Sequence, residues 1–464
     1  MRPAPEYRLD RAVRPLLREA GGRALENLAW LLEHMPPFFF ITMREEAEAV
    51  ASLCLGLRRL SADRQLVLVD RDREFMAARL DLPGSLYESL QTLQPRDISY
   101  AEMAHSYAPV PGTKHDLEFQ RFEFDRKSDA EIASAGKPEI PASIKSAVYA
   151  ELRKFAPSPT AREREKLLRL LWLNNEGYVR VSPPRRVARI LWLFHQGRNH
   201  AGIYLDAENE DGDATEERRE TRVLFAVGNP PQKDYLAQVM EVFNRLNLGV
   251  RRAYALTIST GIHPYFLGTF YVKRRDGGFL EKQSELFRVM RRELYNTQIL
   301  ATDSLTYKEF VLNRLMTGEE ASLVNAFIGF CHTNLAHNQP HRYTLEEVMR
   351  AFHSHPDVAL KLTRLFELRF DPHIPEREAA YRAAHDATAQ EVEEYNTGHK
   401  MLDEFRRSIF RATLSFIRRT LKTNFFVPEK HALAFRLDPA YLADLGPSFT
   451  SDLPAERPFR VTFF

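Results

Sequence analysis

The stretch Arg222-Val223-Leu224-Phe225-Ala226-Val227-Gly228-Asn229-Pro230-Pro231 decides the reading of the fold. Its apolar run is strand-sized, and Gly-Asn-Pro-Pro ends it with a turn signature. Leu236, Val239, Met240 and Phe243 then recur at helical spacing, and Gly249 is a candidate C-cap for that helix. Tyr254, Leu256 and Ile258 alternate as in a strand. Gly261-Ile262-His263-Pro264 turns the chain, and Phe266, Gly268, Phe270 and Val272 alternate again. Asp276-Gly277-Gly278 reads as a hairpin-type turn, and Leu286, Val289, Met290 and Leu294 lie on one face of a further helix. The order β-α-β-β-α is one strand short of the ferredoxin-like βαββαβ unit.

Upstream, residues 10–33 read as one helix and Phe38–Thr42 as a strand. Val50, Leu53, Cys54 and Leu57 share a helix face, Gln65–Val69 reads as a buried strand, and Glu118–Phe124 alternates. This is a β-α-β…β order, with poorer signals between residues 72 and 115. Ala156-Pro157-Ser158-Pro159-Thr160 is a turn-rich linker. Thr160, with Glu163 following, caps a helix over 162–173, and Ser182-Pro183-Pro184 opens the next. Trp172 and Trp192 on these helices read as core aromatics. Residues 206–220 (Asp206, Glu208, Glu210, Asp211, Asp213, Glu216, Glu217, Glu220) read as a solvated acidic loop without the EF-hand glutamate. From 303 to 422 the pattern is helical, with Thr344-Leu345-Glu346-Glu347 a capping box. The segment Phe459–Phe464 is strand-like and needs a partner.

The fold class is therefore α+β: ferredoxin-like modules followed by a mostly helical domain. The chain divides into an α+β domain over 1–156, a helical connector over 157–205, a second α+β module over 206–302, a helical domain over 303–422, and an extended segment over 423–464.

Composition narrows the chemistry. There are 20 glycines in 464 residues, against an average usage of about 7%. Few positions can therefore bring backbone close to a phosphate. Neither G-x-G-x-x-G nor the Walker A pattern occurs. Lys and Arg total 65 against 63 Asp and Glu, a balance that gives no reason to propose a nucleic-acid partner. Cys54 and Cys331 form neither a ligand spacing nor a disulfide framework, which fits a reducing cytoplasm. No apolar run reaches the ~18 residues of a membrane span, and the N-terminus does not read as a secretory signal.

Several clusters read as structural. His332, His337 and His341, followed by His353 and His355, fail the zincin pattern, because Pro340 interrupts the His337/His341 pair. Arg185-Arg186 with Arg189, and Arg418-Arg419 with Lys422, read as solvated or internal ion-pair surfaces rather than anion sites. No residue is assigned a catalytic, cofactor-binding or metal role. The best small-molecule position is the strand–helix junction at Gly228, Asn229, Pro230 and Pro231, with Gly261 and His263 nearby. There, free N–H groups would meet a carboxylate.

Leu173-Asn174-Asn175-Glu176-Gly177-Tyr178, the 185–195 helix and the 222–296 stretch resemble the N-terminal half of large NAD-dependent glutamate dehydrogenases. So do Leu421-Lys422-Thr423-Asn424-Phe425-Phe426-Val427-Pro428-Glu429-Lys430 and Ala434-Phe435-Arg436-Leu437-Asp438-Pro439. In that family such a segment precedes the catalytic part, and Pro458–Phe464 resembles the first catalytic-domain strand. The resemblance spans roughly 170–300 and 410–464. It implies ACT-like modules of a kind that often bind amino acids, with the 38–124 pattern a degenerate first copy; an amino-acid effector would then sit at the junction already singled out, Gly228, Asn229, Pro230, Gly261 and His263. It also implies a non-catalytic regulatory and assembly role, a cytoplasmic homo-oligomer, and partnership with a catalytic domain of the same polypeptide. The parent would oxidise L-glutamate with NAD and water to 2-oxoglutarate, ammonia and NADH. The glycine-rich lysine motif and nucleotide fold of that catalytic half do not occur here, so no catalytic residue and no NAD site carry over. A free-standing ACT-like amino-acid sensor or interaction protein is the alternative.

Overall fold

A computed structural model describes residues 5–93, 96–200, 202–210, 220–230, 235–337, 339–445 and 460–463. The chain forms two compact units, Met1–Arg291 and Arg292–Phe464. No helix among the described residues is long and apolar enough to cross a membrane.

The first unit is built on one antiparallel sheet of eight strands: β1 (Gln65–Arg71), β2 (Glu74–Leu80), β3 (Tyr100–Pro109), β4 (Asp116–Glu123), β5 (Ile203–Glu210), β6 (Glu220–Gly228), β7 (Leu248–Ser259) and β8 (Pro264–Arg274). The order across the sheet is β1-β2-β4-β3-β7-β8-β6-β5. It reads the same from both edges. Each half runs strand, strand, helix, strand, strand, and the halves meet where β3 pairs with β7, Tyr100 facing Leu256 and Ala104 facing Arg252. The helices Ser85–Leu93 and Tyr235–Arg245 occupy equivalent places and pack against each other.

This arrangement accounts for the strand missing from the β-α-β-β-α pattern. The position beside β6 is filled by β5, which precedes it in the chain. Asp206, Glu208 and Glu210 thus belong to a strand rather than to an acidic loop, and Glu208 pairs with Arg222. Asp211, Asp213, Glu216 and Glu217 lie outside the described residues, as do Pro231 and Pro458.

Strand alternation sends opposite residues to opposite faces. On one face, Met76, Ala78, Leu80, Leu117 and Phe119 pack beneath the helices Pro5–Val13, Gly22–His34, Pro37–Thr42 and Ala47–Gly56. Leu224, Ala226, Leu256 and Leu267 continue that face beneath the helices Ala142–Leu152, Ala161–Asn174, Glu176–Val181 and Pro184–Asn199. Gly197 makes the last approach close, since a Cβ there would lie 2.7 Å from that of Ala226. Trp172 and Trp192 are buried in this layer, and Thr160 with Glu163 closes a capping box.

Four further sequence expectations change. The 10–33 segment is two helices, parted at Gly21 with φ 86°. Phe38–Thr42 lies in a helix opened by Pro36-Pro37, whose fixed φ suits a helix start better than a strand. Gly249 lies in β7, and the left-handed residue after the 235–245 helix is Asn247, φ 58°. Gln65–Val69 is a strand, but an edge one with only Val69 buried.

The second unit is mainly helical, with helices Gly318–Leu335, Leu345–His353, Pro356–Phe370, Arg377–Glu394 and Lys400–Arg419. Its core gathers Phe327, Phe330, Phe366, Phe416 and Phe435. Three short strands, β9 (Thr420–Thr423), β10 (Ala434–Leu437) and β11 (Arg460–Phe463), form a second antiparallel sheet. The C-terminal strand therefore has its partner within the chain: Ala434 faces Phe463 and Leu437 faces Arg460. Arg418 and Arg419 both pair with Asp444 at 2.8 Å, the internal ion-pair role expected of them.

Candidate functional site

The residues expected to bind an effector come together around one tyrosine. Gly228 faces Tyr265 across β6 and β8, and a Cβ on Gly228 would lie 2.9 Å from that ring. The His263 ring stands 5.0 Å from the same ring. The local donors are already engaged. Asn229, in the left-handed region at φ 51°, donates its N–H to the Pro264 carbonyl at 2.7 Å. The N–H groups of Thr260 and Gly261 both donate to Asp129 Oδ1 at 2.9 Å. The turn does hold a carboxylate, and it is the chain's own. Pro230 is half-buried at the end of the junction.

A different site lies at the centre of the helix-covered face. Pro183 and Pro184 start the long helix Pro184–Asn199, whose first turns carry Arg185, Arg186 and Arg189 over the sheet. Below them, the alternation of β7 and β8 brings Arg252, Tyr254, Thr269 and Tyr271 to one face, with Arg252 opposite Tyr271 and Tyr254 opposite Thr269. These residues, with Pro183 and Ile190, enclose a cavity of about 270 Å³.

Arg186 is clamped. Its guanidinium carbon lies 4.3 Å from the Tyr254 ring centroid and 4.7 Å from that of Phe38. Such stacking suits the weakly hydrated planar cation. Arg186 Nη2 donates to the Tyr254 hydroxyl at 3.2 Å, and Nη1 stands 3.5 Å from Glu102 Oε1. Arg189 Nη1 donates to the Tyr271 hydroxyl at 3.0 Å. Arg252 stacks on Tyr271 at 3.8 Å and pairs with Glu220 at 2.6 Å.

Two features mark this as more than a core ion pair. Among the described residues, neither Arg185 nor Arg189 has a carboxylate partner. In addition, Thr269 Oγ1, Glu102 Oε1 and Arg186 Nη1 are buried without a hydrogen-bond partner. Buried polar atoms are ordinarily paired, so those of Thr269 and Arg186, which line the cavity, suit a polar occupant. Glu102 lies beneath, and its other oxygen accepts from the Tyr100 hydroxyl at 2.6 Å. Burial raises its carboxyl from 4.5 to about 8, against the opposing pull of Arg186. A protonated Glu102 leaves the cations above it under-compensated. The cavity can therefore take an anion, with guanidinium forks and hydroxyls as donors.

The expectation that Arg185, Arg186 and Arg189 form a solvated or ion-pair face holds only in part, because Arg186 is mostly buried and its nearest carboxylate is not in hydrogen-bonding contact. Sequence reasoning passed over Glu102, Arg252, Tyr254, Thr269 and Tyr271 as site residues. The period-two alternation of β7 and β8 was the available signal for four of them. Glu102 lies in a stretch with little periodic pattern.

The histidines read as structural act locally: His353 meets Thr306 and His355 meets Tyr395. No known protein family and no curated protein matches the chain.

Proposed function

We propose that this chain is the regulatory and assembly portion of a larger NAD-dependent glutamate dehydrogenase. The first unit would act as a pair of ACT-like, ferredoxin-like modules sensing a small anionic effector, and the second as a helical scaffold beside the catalytic part. The observation that carries this reading is the duplicated eight-stranded sheet. Two ββαββ halves share one β-ladder, with strand order 1-2-4-3 on each side of the seam. In each half the three strands around the helix keep the order of a ferredoxin-like unit, and the preceding strand takes the fourth place.

The arginine cavity then supplies the effector seat, in preference to the Gly228–Gly261 turn whose amides Asp129 occupies. An acidic amino acid or its 2-oxo acid fits a wall of guanidinium groups and hydroxyls. The chain's role would be to hold that ligand and pass its presence on through the sheet. NAD and the hydride chemistry would belong to the catalytic part of the parent.

Calorimetric titration of the full chain with L-glutamate, 2-oxoglutarate and neutral amino acids tests the effector reading. Saturable binding of the dicarboxylates supports it, and flat heats throughout overturn it. Reading the gene beyond Phe464 tests the parentage. A glycine-rich lysine motif followed by a βαβ nucleotide site supports the dehydrogenase. A stop codon favours a free-standing sensor of the same effector class.

A further inference from the structure

On the opposite face of the same sheet, three side chains meet as a ligand set would. His105 on β3 faces Glu118 on β4, and Asp81 follows directly after β2. His105 Nε2 lies 3.2 Å from Glu118 Oε2 and 3.5 Å from Asp81 Oδ1, and the ligand atoms all fall within 4.8 Å of one another. Ligands about 2.0–2.1 Å from a tetrahedral ion are separated by roughly 3.3 Å. The two measured edges bracket that figure.

Hydrogen bonds from the surroundings orient each of these groups. His105 Nδ1 donates to the Arg251 carbonyl oxygen at 2.5 Å, and Nε2 faces the two carboxylates, whose charge favours a proton there when no metal is bound; a metal ion would take the place of that proton. Asp81 Oδ2 accepts from Arg251 Nη1 at 2.5 Å, which leaves Oδ1 facing the imidazole. Glu118 Oε1 accepts from the Gln120 amide, and Oε2, which faces the imidazole, accepts from the Ser85 hydroxyl and keeps its remaining lone pair toward the cluster. Outer hydrogen bonds of this kind orient the ligands of protein metal sites.

Charge argues the same way. Asp81, Asp116 and Glu118 are met by two cations, the His105 imidazolium and the Arg251 guanidinium that pairs with both aspartates, which leaves one negative charge over. The Arg79 guanidinium is answered by Glu88. A divalent ion that replaces the Nε2 proton would make the cluster neutral. Access exists as well: His105 and Glu118 are buried, but Asp81 opens onto a cavity of about 290 Å³ that includes Lys273, Arg274 and Arg275 in its wall. A water or small anion can enter there.

From this geometry we propose that Asp81, His105 and Glu118 bind one divalent transition-metal ion of the zinc class, with a solvent-derived fourth ligand on the cavity side. Nitrogen-plus-carboxylate donation suits zinc, cobalt or manganese better than calcium, which takes oxygen ligands. The site is separate from the arginine cavity, and its failure would leave the effector reading untouched.

The test uses the full chain, stripped with chelator and titrated with Zn2+ by calorimetry and with Co2+ by visible absorption. One equivalent should bind, with the ligand-field bands of four-coordinate cobalt. His105→Gln and Glu118→Gln should each weaken binding about a hundredfold or more, whereas Arg189→Gln should leave it unchanged. Asp81→Asn, at the half-open edge of the cluster, serves if the buried variants fail to fold, and should weaken binding at least tenfold. Absence of stoichiometric binding, or equal affinity in these variants, overturns the proposal and leaves the cluster an ion-pair network only.

Discussion

Arg186 approaches Glu102 to 3.5 Å without closing a hydrogen bond, although both are largely buried. The guanidinium is instead held by the rings of Tyr254 and Phe38. Position and partner are thus separated: the aromatic clamp fixes where the cation sits, and its charge remains available to the cavity.

Titration of Glu102 should be visible in stability. Its carboxyl is raised from 4.5 to about 8, so the unfolded chain releases this proton at lower pH than the folded one. The contribution is complete below about pH 4.5, is lost as pH rises to about 8, and is constant above that. Glu102→Gln does not titrate. The melting temperature of the variant should therefore gain on the parent across this interval, by at least several degrees in total. Thermal melts of both proteins along a pH series check this, and parallel curves would contradict it.

Arg189→Gln should weaken dicarboxylate binding about tenfold, which is ~1.4 kcal/mol, without lowering the melting temperature. The residue has a hydroxyl partner but no carboxylate to leave orphaned among the described residues. Binding to the parent chain should also weaken with added salt, as screening attenuates partly exposed charge. Calorimetry at two ionic strengths reads both effects.

Gly197→Val should destabilise the first unit by about 1–3 kcal/mol, because the added Cβ meets Ala226 at 2.7 Å between helix and sheet. Gly136→Ala, where a Cβ meets nothing within 4 Å, should change stability by less than about 0.5 kcal/mol. Denaturant unfolding of the two variants makes the comparison.

Cys54 and Cys331 are both buried, and burial pushes each thiol up to about 12. Neither should react with a thiol-directed reagent in the native protein at neutral pH, since the thiolate is the reactive form. Both should react stoichiometrically in denaturant. Rapid native labelling of either would contradict the packing around it.

The 222–296 region was legible because its signals are local. The strand Glu220–Gly228, the helix Tyr235–Arg245 and the alternating strands β7 and β8 each carry their own period. The missing strand was not legible, because Asp206 and Glu208 interrupt the apolar pattern of β5 and its partner is chosen by topology. Phe38-Phe39-Phe40 misled for the opposite reason: three consecutive phenylalanines carry no helical period, but Phe39 packs on Phe119 from a helix that prolines begin. The anion cavity was hidden because its parts lie far apart in sequence. Arg186 and Tyr254 meet only once the sheet and the helix above it are assembled.

The ladder between the halves is short. It runs only from Tyr100 and Leu256 to Ala104 and Arg252, whereas β7 and β8 remain paired from Leu248 and Arg274 to Ser259 and Pro264. Fewer residue pairs join the halves along this seam than join the neighbouring strands β7 and β8. Arg186 straddles it, touching Glu102 and Phe38 on one side and Tyr254 on the other. An anion held by Arg186 would add a rivet through the seam, fastening from the helix-covered face two halves that the helices Ser85–Leu93 and Tyr235–Arg245 already join.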